Sequence, residues 1–435
     1  MSERRVFFET YGCEMNKAES QALFMELAAD GWREGTSAEE ADLIVINTCS
    51  VRETAEERIR GRLGHYRRLK KRRPFVLALT GCMAERLQER ISQDFPEVDV
   101  VAGTFHKHEI PAAVRRAEAQ QRVVLAGGEE YEFAKLHSGG GFKAFVPVMH
   151  GCNNFCAYCV VPYVRGREIS RSPEEILEEV RTLDARGVTE VTLLGQNVNS
   201  YRFVKNGEAL DFPGLMRRVA KQLEGVRWVR FLTSHPKDLS GELIQTLAEH
   251  PAFCRHIHLP VQSGSTRVLA AMNRGYSADS YLRLVERIRS SLTGASLSTD
   301  ILVGFPGETE DDVEQTLRLM EQVGFDDAFM YYYNPRPGTP ADALSNQVPR
   351  EVKLDRLSRV IAAQRRIASR AMIQRLGQDV EVLVEDVSKR DARELLARTE
   401  WNRMVVFPGP TSLVGSMARV RLDSARGNTF RGSAL

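Results

Sequence analysis

The 435-residue sequence lacks any uninterrupted apolar run of about eighteen residues, the length that a membrane-spanning helix requires. Its first residues, MSERRVFFET, lead into a strand-like segment without the apolar core of a signal peptide. The sequence therefore predicts a cytoplasmic protein with no membrane partner. A hydrophobic content of 43% and a charged content of 27% are ordinary for a globular chain of two or three domains.

The sequence also lacks a large excess of charge of either sign, because it has 60 Lys and Arg residues and 58 Asp and Glu residues. The net charge of +2 provides no global basic field, so any nucleic-acid binding must come from local patches. Two basic segments are candidates, residues 65–73 (HYRRLKKRR) and residues 165–171 (RGREISR). The second favours contact with a phosphate or a cofactor carboxylate. An ordinary solvated helix end is the alternative for both segments.

Cysteine is scarce, and the seven present are an odd number, which argues against a disulfide framework and for thiols used chemically. Cys152, Cys156 and Cys159 follow an apolar run and are spaced C-x3-C-x2-C. A structural zinc site is closed by four protein ligands, whereas an iron–sulfur cube held by three cysteines leaves one iron open. A zinc site completed by His150 remains the alternative.

Three further cysteines follow three successive strands predicted in the first 120 residues. Apolar runs alternate there with helical patterns, which predicts an open parallel α/β sheet. Cys13, Cys49 and Cys82 come after the first, second and third runs, and the carboxyl ends of parallel strands form a common crevice. We therefore predict a second three-cysteine metal site, with buried, inert thiols as the alternative. The predicted strands are 5–10, 43–47, 75–79 and 98–102. The seventh cysteine, Cys254, has no other cysteine near it in the sequence, and we assign it to core packing.

Residues 119–141 end in a glycine run, 138–141, where we place a domain boundary. The next two hundred residues or so contain six strand–helix units, too few for a complete eight-stranded barrel, so they predict a partial, laterally open one. Polar and glycine-rich segments follow its strands and favour cofactor or substrate contacts, although ordinary turns have the same composition. These segments are 195–197, 233–236, 262–265 and 304–308, and the predicted strands are 144–149, 190–194, 228–232, 256–261, 296–303 and 325–333.

The last sixty residues switch to an apolar–polar alternation after a long helix that we predict over 350–376. Period-two segments at 380–385, 403–407 and 416–422 predict a small β-barrel of the oligonucleotide-binding kind.

The C-x3-C-x2-C motif, with Tyr158 just before its last cysteine, resembles the signature of the radical S-adenosylmethionine superfamily. The resemblance implies that Cys152, Cys156 and Cys159 hold a [4Fe-4S] cluster, whose open iron binds S-adenosylmethionine. It places Tyr158 near the adenine. It also places Gly195 and Gln196 where many members hold the methionine ammonium. Asp300, on the predicted fifth strand, is a further candidate for a polar contact.

The order of the three parts resembles the methylthiotransferase family over the whole chain. The segments 10–16 (TYGCEMN), 47–53 (NTCSVRE), 159–163 (CVVPY) and 388–391 (SKRD) are similar to the branch that acts on tRNA. The tail resembles a TRAM domain. The expected domains are 1–120 for the auxiliary cluster, 136–368 for the radical core and 371–435 for the RNA-binding barrel.

Membership in this branch implies two [4Fe-4S] clusters, the second held by Cys13, Cys49 and Cys82, and S-adenosylmethionine as cosubstrate. The implied reaction adds a methylthio group at C2 of N6-isopentenyladenosine next to the anticodon. Expected partners are the tRNA anticodon stem-loop, an electron donor such as flavodoxin or ferredoxin, and iron–sulfur assembly proteins. The alternatives are threonylcarbamoyladenosine in tRNA or a ribosomal-protein aspartate as acceptor, or a non-catalytic RNA-binding iron–sulfur protein.

Overall fold

A computed structural model describes residues 3–50, 53–137 and 141–435 of the chain. Val51 and Arg52 of the second cysteine motif lie outside the described residues, as does 138–140, most of the predicted glycine run.

The N-terminal part is an open sheet of six parallel strands in the order β2-β1-β3-β4-β5-β6. The central strands β3 and β4 are buried along their whole length, as the continuous apolar runs predicted. The strands are β1 Arg5–Thr10, β2 Arg33–Glu34, β3 Leu43–Thr48, β4 Val76–Gly81, β5 Val100–Ala102 and β6 Val123–Leu125. The helices are α1 Glu14–Ala29, α2 Glu53–Lys70, α3 Cys82–Leu87, α4 Glu89–Asp94 and α5 Ile110–Glu118.

The central part contains two three-stranded parallel sheets, ordered β13-β10-β7 and β14-β15-β16. Its strands are β7 Lys143–Pro147, β8 Met149–His150, β9 Ile169–Ser170, β10 Glu190–Leu194, β11 Arg202–Lys205, β12 Glu208–Asp211, β13 Trp228–Phe231, β14 His256–His258, β15 Ser296–Val303 and β16 Asp327–Tyr332. Its helices are α6 Val161–Val164, α7 Pro173–Ala185, α8 Phe212–Ala220, α9 Gly241–Glu249, α10 Thr266–Ala271, α11 Ala278–Ser291 and α12 Glu310–Val323.

Main-chain hydrogen bonds join the two central sheets into one curved array. The Val229 amide donates to the Ala252 carbonyl at 2.7 Å, and the Cys254 amide donates to the Val229 carbonyl at 3.1 Å. No ladder closes β16 onto β7 within the described part of the chain. The prediction of a partial, laterally open barrel of six strands is therefore confirmed.

The C-terminal part is a closed five-stranded barrel in the order β17-β18-β19-β21-β20, which confirms the predicted small β-barrel. Its core consists of alternate residues of the strands, as in Val380, Val382 and Val384. Helix α13 Arg350–Ile373 leads into it, and its strands are β17 Asp379–Val387, β18 Glu394–Thr399, β19 Met404–Pro408, β20 Met417–Arg426 and β21 Thr429–Ala434.

No helix within the ranges that the structure describes is both long and apolar enough to cross a lipid bilayer.

A buried arginine attaches the small barrel to the central part. Arg230 Nε donates to Glu190 Oε2 at 2.7 Å, and its two terminal nitrogens donate to the carbonyl oxygens of Glu400 at 2.7 Å and Thr399 at 2.9 Å. Both Arg230 and Glu190 are buried, so neither charge has water as an alternative partner.

We expect Arg230→Met to destabilise the protein by about 3–5 kcal/mol, because it leaves the buried Glu190 short of a partner. The matched control is Arg227→Met, which removes an exposed arginine 3.5 Å from Glu381 of the same barrel and should cost at most about 1 kcal/mol. Urea unfolding followed by tryptophan fluorescence measures both, since Trp228 packs at this contact. Equal unfolding midpoints for the two variants would contradict the assignment.

Candidate active site

Cys13, Cys49 and Cys82 lie at the carboxyl ends of β1, β3 and β4, which are neighbours in the sheet. The turn before Cys13 touches Cys49 directly. A Cβ atom placed on Gly12 would lie 2.7 Å from the Cβ of Cys49 and 3.1 Å from its Sγ, and the φ of Gly12 is +115°. Only glycine fits this approach. The structure thus places three thiols that are more than thirty residues apart in sequence on three adjoining strand ends.

Hydrogen bonds fasten the three turns to one another. Asn16 Nδ2 donates to the carbonyl oxygens of Tyr11 at 2.8 Å and Thr48 at 2.9 Å. Thr48 Oγ1 in turn donates to the Thr80 carbonyl at 2.5 Å and accepts from the Met83 amide at 3.1 Å. Each turn is therefore fixed by its neighbour before any metal binds.

The second set of thiols lies on the loop between β8 and α6. The Cys152 amide donates to the Gly166 carbonyl at 3.1 Å, and the Cys159 amide donates to the Cys156 carbonyl at 2.9 Å. Burial raises the pKa of Cys152 to about 11 and that of Cys159 to about 12. Because a metal binds the thiolate, loading this loop must release protons.

An arginine lies against this loop. Arg274 is buried, and its Nη1 donates to Cys156 Sγ at 3.2 Å and to Tyr158 Oη at 3.4 Å. Its other nitrogens donate to Tyr276 Oη at 3.0 Å and to the Pro260 carbonyl at 2.9 Å. A guanidinium is thus oriented toward a predicted cluster ligand. Tyr158, expected near an adenine, is placed beside that ligand.

Several buried polar atoms after the barrel strands have no hydrogen-bond partner among the described residues. A buried polar group normally has a partner, so such a set at one end of a barrel fits a polar ligand such as S-adenosylmethionine. They are Gln196 Oε1, both amide atoms of Asn199, Ser234 Oγ, His235 Nε2 and Tyr333 Oη.

The other predicted cofactor contacts have local partners. A Cβ on Gly195 would lie 2.4 Å from Met149 Cγ, so close packing alone accounts for this glycine. Asp300 lies in the middle of β15, and its Oδ1 is 3.6 Å from His258 Nε2. Of the four predicted contacts, Gln196 has the side chain that most needs an external partner.

His150 faces the N-terminal part of the protein. Its ring stacks on that of Tyr131 with centroids 3.6 Å apart, and its Nδ1 lies 3.4 Å from Arg165 Nη1. His150 is therefore packed between Tyr131 and Arg165, and its Nε2 is buried without a hydrogen-bond partner among the described residues.

The basic segment 165–171 differs from both of its sequence interpretations. Arg165 and Arg171 are each 2% exposed and engaged in ion pairs, so they are available neither to solvent nor to a phosphate. Arg171 pairs with Glu179 and Arg165 with Glu19. Only Arg167 of these three arginines is exposed.

The Arg165 pair connects the two cysteine sets. Arg165 Nη1 lies 2.7 Å from Glu19 Oε1, and Nη2 donates to Asn16 Oδ1 at 2.9 Å. Lys107 also contacts the Glu19 carboxylate. Burial opposes charge on Glu19, but Arg165 and Lys107 outweigh it and hold the pKa of this carboxyl below its usual value.

Sequence reasoning missed this connection. Glu19 and Asn16 belong to α1, which begins directly after Cys13, while Arg165 follows α6, directly after the second cysteine loop. Cys82 itself packs against Val160 and Val164 of that segment. The spacing of Asn16 and Glu19 by three residues on one helix face was the available signal, but nothing in the sequence identified the partner.

The chain matches three domain families, each within one part of the fold. Residues 5–103 match the uncharacterized protein family UPF0004, residues 146–320 the radical SAM superfamily, and residues 374–435 the TRAM domain.

Full-length relatives decide the family. A protein of Treponema denticola named tRNA-2-methylthio-N(6)-dimethylallyladenosine synthase is 48% identical over 444 residues, which cover 98% of each chain. A relative of the same name from Geobacter sulfurreducens is 45% identical and covers 100% of this chain and 98% of its own. The chain belongs to the tRNA-2-methylthio-N(6)-dimethylallyladenosine synthase family. Membership confirms a radical enzyme that transfers sulfur-containing groups and uses [4Fe-4S] clusters and S-adenosylmethionine.

Solved structures agree on the fold alone. The radical S-adenosylmethionine methyltransferase TsrM from Kitasatospora setae, with cobalamin and a [4Fe-4S] cluster bound, is 16% identical with a TM-score of 0.58. The match covers 78% of this chain and 77% of TsrM. The cobalamin-dependent radical enzyme OxsB, with aqua-cobalamin and S-adenosylmethionine bound, gives a TM-score of 0.53 at 11% identity, over 83% of this chain and 56% of OxsB.

We expect Arg165→Met to loosen α1 of this synthase-family protein, because removing one partner of a buried ion pair leaves the other charge poorly compensated, at a cost of about 3–5 kcal/mol. Amide hydrogen exchange in α1 should quicken by about a hundredfold or more. Arg115→Met is the matched control, since Arg115 pairs with Asp30 at the end of the same helix but is exposed. Unchanged protection of α1 in Arg165→Met would show that the pair does not hold the helix.

We expect Arg274→Gln to make the potential of the cluster at the second loop more negative. The guanidinium hydrogen bond to Cys156 favours the reduced, more negative form, and its loss should lower the midpoint by up to about 100 mV. Arg274→Lys keeps the charge but not the planar guanidinium, so its midpoint potential should lie between those of the wild type and Arg274→Gln.

A redox titration followed by electron paramagnetic resonance measures this shift, with Cys13, Cys49 and Cys82 replaced by alanine so that one cluster contributes. Arg318→Gln, at an exposed arginine, is the control and should keep the wild-type midpoint. The same midpoint in Arg274→Gln would rule out a role in tuning.

Proposed function

We propose that this protein transfers a methylthio group to C2 of N6-isopentenyladenosine next to the anticodon of tRNA. The observation that carries the proposal is its identity of 43–48% with synthases of that name over nearly the whole chain. Two sets of three cysteines, joined by the Arg165 pair, support it from the side of the structure.

We assign the cluster that binds S-adenosylmethionine to Cys152, Cys156 and Cys159. This cluster and cofactor supply the radical that functionalises an inert carbon–hydrogen bond, which no standard side chain achieves. Arg274 holds Cys156 and Tyr158 in place. Tyr158, Gly195, Gln196 and Asp300 are the proposed cofactor contacts, with Gln196 supported by its unpartnered buried oxygen.

We assign the auxiliary cluster to Cys13, Cys49 and Cys82. Their placement on three adjoining strand ends supports this ligand set, because those turns are already fastened to one another. The residues around these cysteines position the cluster site. The buried Glu19–Arg165 pair keeps this cluster site in register with the second cysteine loop.

The small barrel is proposed to bind the tRNA with local cations. Lys389, Arg390 and Arg419 are exposed and suited to phosphate contacts. Arg398 is committed to Glu385, and Arg403 is buried, so these two are withdrawn from the basic patch suggested by the sequence. We propose the domain limits 1–120, 136–368 and 371–435, and the pairing of β6 with β5 extends the first domain to residue 125.

The remaining partners are part of the proposal. A radical enzyme of this class needs one electron for each cleavage of S-adenosylmethionine, which we assign to a flavodoxin or ferredoxin. Its clusters need iron–sulfur assembly proteins, and a tRNA substrate is consistent with a cytoplasmic location.

The decisive test uses protein reconstituted anaerobically and tRNA from cells that lack this gene. With reductant and S-adenosylmethionine, the wild type should yield 2-methylthio-N6-isopentenyladenosine, detected by mass spectrometry after digestion. Cys152→Ala should abolish both this nucleoside and 5′-deoxyadenosine. Cys82→Ala should keep 5′-deoxyadenosine and lose the nucleoside.

Cys254→Ala is the matched control, because it removes a buried thiol packed against Trp228, away from both sets, and should retain product. Iron analysis should give two clusters in the wild type and one when Cys13, Cys49 and Cys82 are alanine. A methylthio product on threonylcarbamoyladenosine instead would overturn the acceptor. Binding of tRNA with no 5′-deoxyadenosine would favour a non-catalytic RNA-binding protein.

A further inference from the structure

Two aromatic side chains and one cationic side chain border the second cysteine loop, and Tyr163 and Arg167 are exposed while Phe155 is half-buried. Tyr163 is 51% exposed, and its ring meets that of Phe155 edge-on with centroids 5.9 Å apart. The Arg167 guanidinium lies over the Phe155 ring, 4.3 Å from its centroid. We call Phe155, Tyr163 and Arg167 the aromatic rim.

The backbone of the rim is held in a conformation that bulky residues rarely adopt. Phe155 has a φ of +46°, which for an aromatic residue is strained and commonly marks a functional position. Asn273 Nδ2 fixes this turn by donating to the Phe155 carbonyl at 3.0 Å. Lys237 Nζ holds the preceding residue, Asn154, through its side-chain oxygen at 2.7 Å. The strained turn is therefore maintained by the surrounding structure.

The rim lies on the segment that joins the two cysteine sets. Phe155 directly precedes Cys156, and Tyr163 is on α6. The other side of that segment, Val160 and Val164, packs against Cys82. A nucleoside that receives a group from one site and is activated at the other must approach this segment.

The chemistry of the rim suits a nucleobase. Proteins recognise unpaired RNA bases by stacking them on aromatic rings and arginine planes. Arg167 is exposed, and among the described residues no carboxylate forms an ion pair with it, so its charge is available to a ligand. An acidic electron-donor protein could also bind the charge of Arg167. The perpendicular rings of Phe155 and Tyr163 would contribute less to binding such a protein than to binding a base.

We propose that the aromatic rim stacks against a base of the anticodon loop that flanks the target adenosine. This inference rests on the proposed function, because it takes tRNA as the substrate. It assigns to Tyr163 and Arg167 the task of holding the loop open beside the two cysteine sites.

The test measures the affinity of the cluster-loaded protein for a fluorescent anticodon stem-loop that contains N6-isopentenyladenosine. Tyr163→Ala should weaken binding about 5- to 150-fold, the range for loss of one base–aromatic stack, and Tyr163→Phe should restore it. Arg167→Ala should weaken it by a smaller factor. Arg181→Ala, at an exposed arginine on α7, should leave affinity unchanged. Iron content and the cluster spectrum show that each variant is folded and loaded.

A second arm identifies the stacked base. Stem-loops with an abasic site on either side of the target adenosine are bound by wild type and Tyr163→Ala. At the base that stacks, the abasic site should weaken wild-type binding, and Tyr163→Ala should add no further loss. Equal affinity of Tyr163→Ala and wild type for the intact stem-loop overturns the inference.

An electron-donor surface would give a different result. In that case Tyr163→Ala would bind RNA normally and slow only the reduction of the cluster by flavodoxin, not by dithionite, which also overturns the inference. Failure of the proposed function gives a result distinct from failure of this inference, because the wild type itself would then form no methylthio nucleoside.

Discussion

The buried pair between Glu19 and Arg165 is the contact on which the arrangement of this protein depends. The N-terminal sheet presents three thiols at the ends of its strands, and one loop of the central part carries three more. Chemistry that uses both sets needs them at one fixed separation. The carboxylate lies on the helix that begins at Cys13, and the guanidinium follows the loop that ends at Cys159. Because both groups are at most 4% exposed, the pair has no solvated alternative nearby.

Stability is a poor explanation for such a pair. Desolvating two charges cancels most of their attraction, and apolar residues of similar size often do as well or better. What an apolar contact lacks is direction, because it tolerates sliding and rotation. A guanidinium that donates to Glu19 through both terminal nitrogens, and to Asn16 through one of them, accepts a single placement. We therefore interpret the pair as a device for register between the two cysteine sets.

The sequence was informative wherever a local pattern determines structure. Strands 5–10, 190–194 and 296–303 were predicted at their observed limits. The two exposed residues of β2 and the three of β6 are too short for any periodicity, and β18 and β21 mix polar residues into their pattern. Convergence of Cys13, Cys49 and Cys82 followed from topology. The partner of Arg165 could not be predicted, because an ion pair between residues far apart in sequence produces no periodic pattern.

Some buried polar atoms of the barrel have no hydrogen-bond partner among the described residues, and they bear on how the site binds its cofactor. Hydrogen bonds join the turns around Cys13, Cys49 and Cys82 to one another, although Asn47 Oδ1 and Thr80 Oγ1 beside them are buried without a partner among the described residues. In the barrel, Gln196, Ser234, His235 and Tyr333 likewise each bury an atom without a partner among the described residues. Such atoms destabilise the free protein, and a polar cofactor that satisfies them binds the folded state selectively. We therefore expect S-adenosylmethionine to stabilise the folded barrel when it binds.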